Sequence, residues 1–274
     1  VYTISHIFSH ILPFLYFGVL TVYYLIFVQR HKALERTTRI LIPSLLLFHL
    51  SEIIIRLIAL GAMPFSTAFD ALSFMAFSLT LVYFIIESSF EHRTSGLFIM
   101  PLPFLLVAIS AFSHNWEAET NPLLANPMFV LHAVLNVLGY TAFAISALYA
   151  LMYIIQMRNM KQRRFNLLFD RLLPLDTLEK MSIRAVLIGI IVLGVGLLLS
   201  HWHLYVMFGS LWKNDIKVVS TDIIWLIYVS GFIYTQRWRV SGRYMAYVSL
   251  FGFILLIGAG IVLAAITESF HQFF

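Results

Sequence analysis

No cysteine occurs anywhere in the 274 residues. Disulfides, thiolate metal sites and thioether bonds to a prosthetic group are therefore excluded. Any cofactor has to be held by histidine, by shape, or not at all. Charge is the second shortage. Asp, Glu, Lys and Arg make up 11% of the chain, where a soluble domain carries about 25%. No fixed-period repeat and no low-complexity linker breaks the sequence. A soluble enzyme, a disordered chain and a small secreted domain are all ruled out.

Apolar residues fill the space. They make up 61% of the chain, 16% is aromatic, and the mean hydropathy is +0.89. At roughly 20 apolar residues per bilayer crossing, the length allows seven to nine spans and short loops. Eight apolar stretches are bounded by polar or turn residues: 7–29, 39–61, 68–88, 96–113, 128–156, 183–206, 217–236 and 243–268. Runs this long predict helices, because the bilayer core offers no water to unpaired backbone groups. The alternating segments of a membrane β-barrel are missing. The first stretch has neither a basic start nor a small-residue cleavage site, so a retained span is expected there.

The net charge of +5 reports topology rather than nucleic-acid binding. Arg30, Lys32, Arg36 and Arg39 follow span 1, and Arg93 follows span 3. Span 5 is followed by Arg158, Lys161, Arg163, Arg164, Arg171, Lys180 and Arg184, and span 7 by Arg237, Arg239 and Arg243. The opposite loops hold only Lys213 and Lys217, and Arg56 lies inside a span. The basic side is cytoplasmic by the positive-inside rule, which puts both termini outside. Residues 158–182 are expected to form a cytoplasmic interfacial connector. There Phe165, Leu168, Leu172 and Leu173 alternate with basic residues up to Pro174.

This orientation sorts the histidines. His31 and His92 fall in cytoplasmic loops, and His49 alone is mid-membrane. His6, His10, His114, His132, His201, His203 and His271 fall on or near the outer face. Imidazole is the usual axial ligand of a non-covalent haem and a common metal ligand. His132, at the start of span 5, and His271, just past span 8, share one depth. They read either as two ligands of one iron or as two interfacial histidines. His201 and His203 flank Trp202 and point about 200° apart on a helix, a weak metal signal beside an aromatic belt. His6 and His10 share a helix face without a third ligand.

A second constellation lies on one face of span 2, where His49, Glu52 and Arg56 are spaced by three and four. An unpaired charge at mid-bilayer costs about 2.5–3.5 kcal/mol. Glu52 and Arg56 are therefore expected to pair with each other. The alternatives are a structural ion pair, or a site where His49 ligates a haem and Arg56 meets a propionate. Asp222 adds an acid to span 7. The third feature is the outer loop, 207–217, with Gly-Ser-Leu-Trp-Lys-Asn-Asp-Ile-Lys at 209–217 and Trp-Leu-Ile-Tyr at 225–228.

That loop resembles the tryptophan-rich "WWD" loop of the cytochrome c assembly family, which includes CcsA, CcmC and HemX types. The likeness extends over nearly the whole chain. Residues 48–87 carry a histidine, an arginine, Gly-x-x-Pro and an acid opening the next span. Residues 131–153 form a histidine-led span, 238–253 a basic loop into the last span, and 270–274 read Phe-His-Gln-Phe-Phe. The resemblance implies that His132 and His271 ligate haem b, held non-covalently, at the outer face. It implies that Trp212, Asp215 and Lys217 hold the haem edge. It also implies that His49 is the first of two transmembrane histidines associated with a second haem. Asn214, Ile216 and Thr235 depart from the tryptophan, proline and second transmembrane histidine usual there.

The expectation is thus an all-α polytopic membrane bundle of about eight transmembrane helices, forming one domain over 1–274. It would present haem to apocytochrome c or to other cytochrome c assembly membrane proteins, as part of a haem lyase (synthase) system. The alternatives are a permanent b-haem electron-transfer subunit, or a haem-supply regulator or scaffold that has lost haem. The expected location is the inner (plasma) membrane, with a thylakoid membrane as the alternative.

Overall fold

The structure, a computed structural model, describes residues 2–29, 32–60, 68–89, 94–112, 127–165, 167–209, 216–238 and 242–270. Among these residues there is no strand. The helices are α1 Tyr2–Gln29, α2 Lys32–Leu60, α3 Ala68–Ser88, α4 Gly96–Ile99 and α5 Pro101–Phe112, followed by α6 Pro127–Lys161, α7 Leu167–Arg171, α8 Leu175–Phe208, α9 Ile216–Trp238 and α10 Gly242–Phe270. Seven of them, α1, α2, α3, α6, α8, α9 and α10, are long and apolar enough to cross a membrane.

The fourth expected span is shorter. Residues 96–112 form the α4–α5 pair, about 25 Å at 1.5 Å per residue. The pair is divided at Met100, beyond which Pro101 and Pro103 lack N–H donors. The Met100 N–H still reaches the Gly96 carbonyl at 2.8 Å and its own carbonyl accepts from Phe104 at 3.1 Å, so the backbone stays satisfied.

The chain folds as two compact units. The first comprises residues 1–131 and 165–173, and the second residues 132–164 and 174–274. In the first, α1 packs on α2 and α5, and α3 packs on α2 and α5. Leu12, Tyr16, Val19, Tyr23 and Ile26 line one buried face of α1 at helical spacing. Helix α7 is tied into this unit by Arg171, whose guanidinium donates to the Val28 carbonyl at 2.7 Å.

Of the connector expected over 158–182, much is continuous with the long helices. Helix α6 runs on to Lys161 and α8 already begins at Leu175. Arg163, at φ 52°, turns the chain out of α6, and the Arg164 N–H satisfies the Asn159 carbonyl at 3.0 Å. Pro174 precedes α8, where a missing N–H does no harm.

In the second unit α6 and α8 meet along one seam. On α6 the seam positions are 132, 136, 139, 143 and 146. On α8 they are 203, 196, 193, 189 and 182 in antiparallel order. Each contact is seen. The Ser146 and Ser182 hydroxyls are 3.0 Å apart, Phe143 lies against Gly189, and Asn136 lies against Gly196. A Cβ at Gly139 would fall 2.6 Å from the Leu193 Cβ. Steps of three and four on α6, and of three, four and seven on α8, keep these residues facing each other.

Helices α9 and α10 complete the unit. Phe143 stacks on Tyr228 at 3.7 Å between ring centres, and the Trp225 indole donates to the Ile190 carbonyl at 2.9 Å. Ser146 also donates to Ser249, and Tyr228 donates to the Ser249 carbonyl. A hydroxyl node thus joins α6, α8 and α10. Gly139→Ala should destabilise the protein by about 1–3 kcal/mol through overpacking. A thermal melt in detergent reads this, and an unchanged midpoint would refute so tight a seam.

Candidate functional site

The polar residues of the first unit lie inside it. His49 on α2 is fully buried. Its Nδ1 lies 2.9 Å from the Tyr16 hydroxyl and its Nε2 lies 2.9 Å from the Ser73 hydroxyl. Tyr16 and Phe77 stand edge-on to the ring. Thr80 continues the file, its hydroxyl 3.2 Å from the Tyr16 oxygen. Both imidazole nitrogens are therefore engaged by side chains, and the arrangement does not fit an iron at His49.

Two turns further along α2, Arg56 is only 2% exposed. Its Nε pairs with Asp70 at the start of α3, and its guanidinium lies 4.5 Å from the Phe69 ring centre. This corrects the expected Glu52–Arg56 pair. Although i, i+4 spacing puts both on one face, Asp70 reaches Arg56 across the helix interface. Glu52 is also buried, and its Oε1 has no hydrogen-bond partner among the described residues. At the opposite end of α3, Glu87 accepts from Tyr23 at 2.8 Å and from Tyr83 at 2.6 Å. A groove of about 510 Å³ between α1 and α2 is lined by Phe14, Gly18, Leu41 and Phe48 among others. No histidine or charged residue lines it, so it offers no ligand for a metal.

The imidazoles of the second unit gather at one end, where α6 begins and α8 ends. His132 sits near the start of α6 and His203 near the end of α8, both half-buried. Their ring centres are 6.4 Å apart with planes 26° from parallel. His201, two residues earlier, turns to the other side. Its Nδ1 donates to the Leu197 carbonyl at 2.8 Å and its Nε2 lies 3.4 Å from the Asp222 carboxylate on α9. The 200° between the two histidines thus serves two neighbours, α6 and α9. Beside them the Tyr140 and Thr221 hydroxyls meet at 2.9 Å.

Helix α8 ends on Gly209, at φ 68°, whose N–H reaches the Tyr205 carbonyl at 2.8 Å. A left-handed cap of this kind favours glycine because a Cβ would clash there. The loop expected to carry the site begins at this point. Trp212, Asp215 and His271 lie outside the described residues. Lys217 is the second residue of α9, and its side chain is likewise outside them. A pair of imidazoles at the head of a packed seam is a donor set that fits haem iron, so the described half of the outer site passes that test.

Sequence reasoning missed Asp70 as the partner of Arg56 and His203 as the neighbour of His132. An acid opening the helix after an arginine-closed span was the available signal for the first. The seam spacing was the signal for the second.

Fold and site together define a multi-pass helical membrane protein with polar groups turned inward and, in its second unit, imidazoles collected at one end. The model of the family described as "Cytochrome C assembly protein" matches residues 65–268, and the chain belongs to that family. It is 26% identical to Protein HemX of Brevibacillus brevis over 233 residues, covering 84% of each chain. It is 26% identical to the cytochrome c biogenesis protein CcsA of Prochlorococcus marinus over 248 residues, covering 80% of this chain and 78% of that one. The solved cytochrome c haem lyase CcmF shares the fold, with a TM-score of 0.62 at 15% identity. That match covers 92% of this chain and 45% of CcmF, so the protein spans under half of CcmF's length.

Proposed function

We propose that this protein binds haem b non-covalently at the outer end of its second unit and serves cytochrome c maturation. It holds haem for delivery to an apocytochrome c, or to other membrane proteins of the assembly system, in the inner (plasma) membrane. Family membership and the CcsA relatives support the pathway. The observation that carries the site is the placement of His132, half-buried beside a second imidazole at the head of the α6–α8 seam.

Haem, when bound, supplies the iron that takes imidazole ligands and the vinyl groups that react with apocytochrome thiols. The chain supplies position. His132 offers a nitrogen ligand fixed by its helix, and the close-packed seam below excludes water from that side. The family resemblance assigns the second axial ligand to His271 and the haem edge to Trp212, Asp215 and Lys217. Helix α8 ends on Gly209, which launches that loop directly from the end carrying the histidines.

A pyridine haemochrome assay on protein purified in mild detergent tests the reading. About one haem per chain with a b-type spectrum is expected, and added apocytochrome should remove it. Colourless protein that takes up no added haem would overturn the proposal. Haem that stays bound would instead assign the chain to permanent electron transfer, the reading that a close imidazole pair also favours.

A further inference from the structure

We propose that the corner where α9 turns into α10 binds one anionic phospholipid of the cytoplasmic leaflet, with the headgroup phosphate between Arg237 and Arg243. The site is independent of haem and lies on the surface that meets the bilayer.

The corner collects aromatic rings. Tyr234 and Trp238 close α9, and Tyr244 and Tyr247 lie in the first turns of α10. The Tyr234 ring centre is 4.8 Å from that of Trp238 and 4.9 Å from that of Tyr244, so three of the rings form a platform across both helices. All four side chains are 39–64% exposed, which makes them a surface rather than core. The two helices beneath are closely packed. A Cβ at Gly231 would fall 2.5 Å from a Val248 methyl, and the Thr235 hydroxyl lies 3.5 Å from the Met245 sulfur. The platform is therefore held by the hairpin and needs little ordering to receive a ligand.

Charge is gathered at the same place. Arg237, Arg239 and Arg243 fall within seven residues of sequence, and the Arg237 and Arg243 side chains are exposed. The Arg243 guanidinium stands 5.5 Å from the Tyr247 ring centre, and its Nε donates to the Tyr247 hydroxyl at 3.4 Å. A guanidinium resting on a ring keeps its remaining N–H groups for an anion, and its fork matches two phosphate oxygens. Glu179 on α8 approaches from the buried side, against Gly242, and not among the exposed rings.

Depth fits a lipid. Arg237 and Arg243 are each one residue from a helix end, while Tyr234 and Tyr247 lie about one turn further into the spans. That places guanidiniums at the phosphate level and rings at the glycerol level. From Tyr247 the exposed Phe251 and Ile254 continue along one face of α10 in steps of four and three, a track for an acyl chain. The end of α6 makes a useful contrast. Arg158 and Lys161 are exposed there, but residues 155–161 include no aromatic. That end attracts anionic lipid in general, whereas the α9–α10 corner has the parts to hold one molecule.

Native mass spectrometry of the delipidated protein in detergent, titrated with phosphatidylglycerol or phosphatidylcholine of equal chain length, tests the site. The first phosphatidylglycerol should bind about tenfold or more tightly than phosphatidylcholine, since an arginine near an anionic headgroup is worth about fivefold in affinity. Arg237→Gln with Arg243→Gln should remove most of this preference. Arg237→Lys with Arg243→Lys keeps the charge and should retain it, which guards against a variant that merely folds poorly. Arg158→Gln with Lys161→Gln should leave it unchanged. Trp238→Leu keeps every charge and should weaken the first phosphatidylglycerol severalfold. Equal binding of the two lipids by the wild type would overturn the proposal. So would an equal loss of preference in the two glutamine pairs, which would show general attraction to the basic face and no site.

Discussion

Replacing Arg56 by leucine should cost about 3–5 kcal/mol of stability, because it strands the buried Asp70 carboxylate. Replacing both Arg56 and Asp70 by leucine should recover most of that loss. Both side chains are almost fully buried, at 3% and 0% exposure, so solvent screening does little to soften the effect. The asymmetry follows from desolvation. A lone buried charge has no compensation, whereas a matched pair removed together leaves only a packing change. Chemical denaturation of detergent-solubilised protein reads the cycle. Equal midpoints for the single and the double variant would refute the pairing. Glu52→Leu should cost much less than Asp70→Leu, since Asp70 and not Glu52 forms the ion pair with Arg56.

The second large effect is expected at the outer site. His132→Ala should weaken haem binding by about tenfold or more, the scale at which even the outer partners of a metal ligand matter. His49→Phe should leave haem content unchanged, since both His49 nitrogens bond to Tyr16 and Ser73. Its loss should appear in stability instead, at about 1–3 kcal/mol for two stranded buried hydroxyls. Haem titrations of the two variants side by side separate the roles. Equal haem loss in both would place a ligand at His49 after all.

The spans were legible because bilayer physics leaves a long apolar signature, although α1, α2 and α8 begin five, seven and eight residues before the expected starts and α6 runs five residues past its expected end. Helix α3 covers 68–88 as read, and α9 and α10 differ by a residue or two. The 96–113 stretch was legible in both character and extent, since the α4–α5 pair covers 96–112, but its division at Met100 was not. The shared face of His49, Glu52 and Arg56 followed from i, i+3, i+4 spacing within one helix. The partner of Arg56 did not, because Asp70 lies on another helix and only the packing chooses between two nearby acids. The same limit applied at His201 and His203. Their divergence was a matter of helical pitch, but which neighbour each would meet depended on the placement of α6 and α9.

The serine node has a mechanical meaning. Ser146, Ser182 and Ser249 fasten α6, α8 and α10 at one level. His132 lies fourteen residues from Ser146 on α6, an arm of about 21 Å. Along most of that length the two helices are locked, from the serine level up to Asn136 and Gly196. The second unit is therefore built like a closed clasp, riveted by hydroxyls at the base, with its two imidazoles at the one end that the rivets leave unpinned.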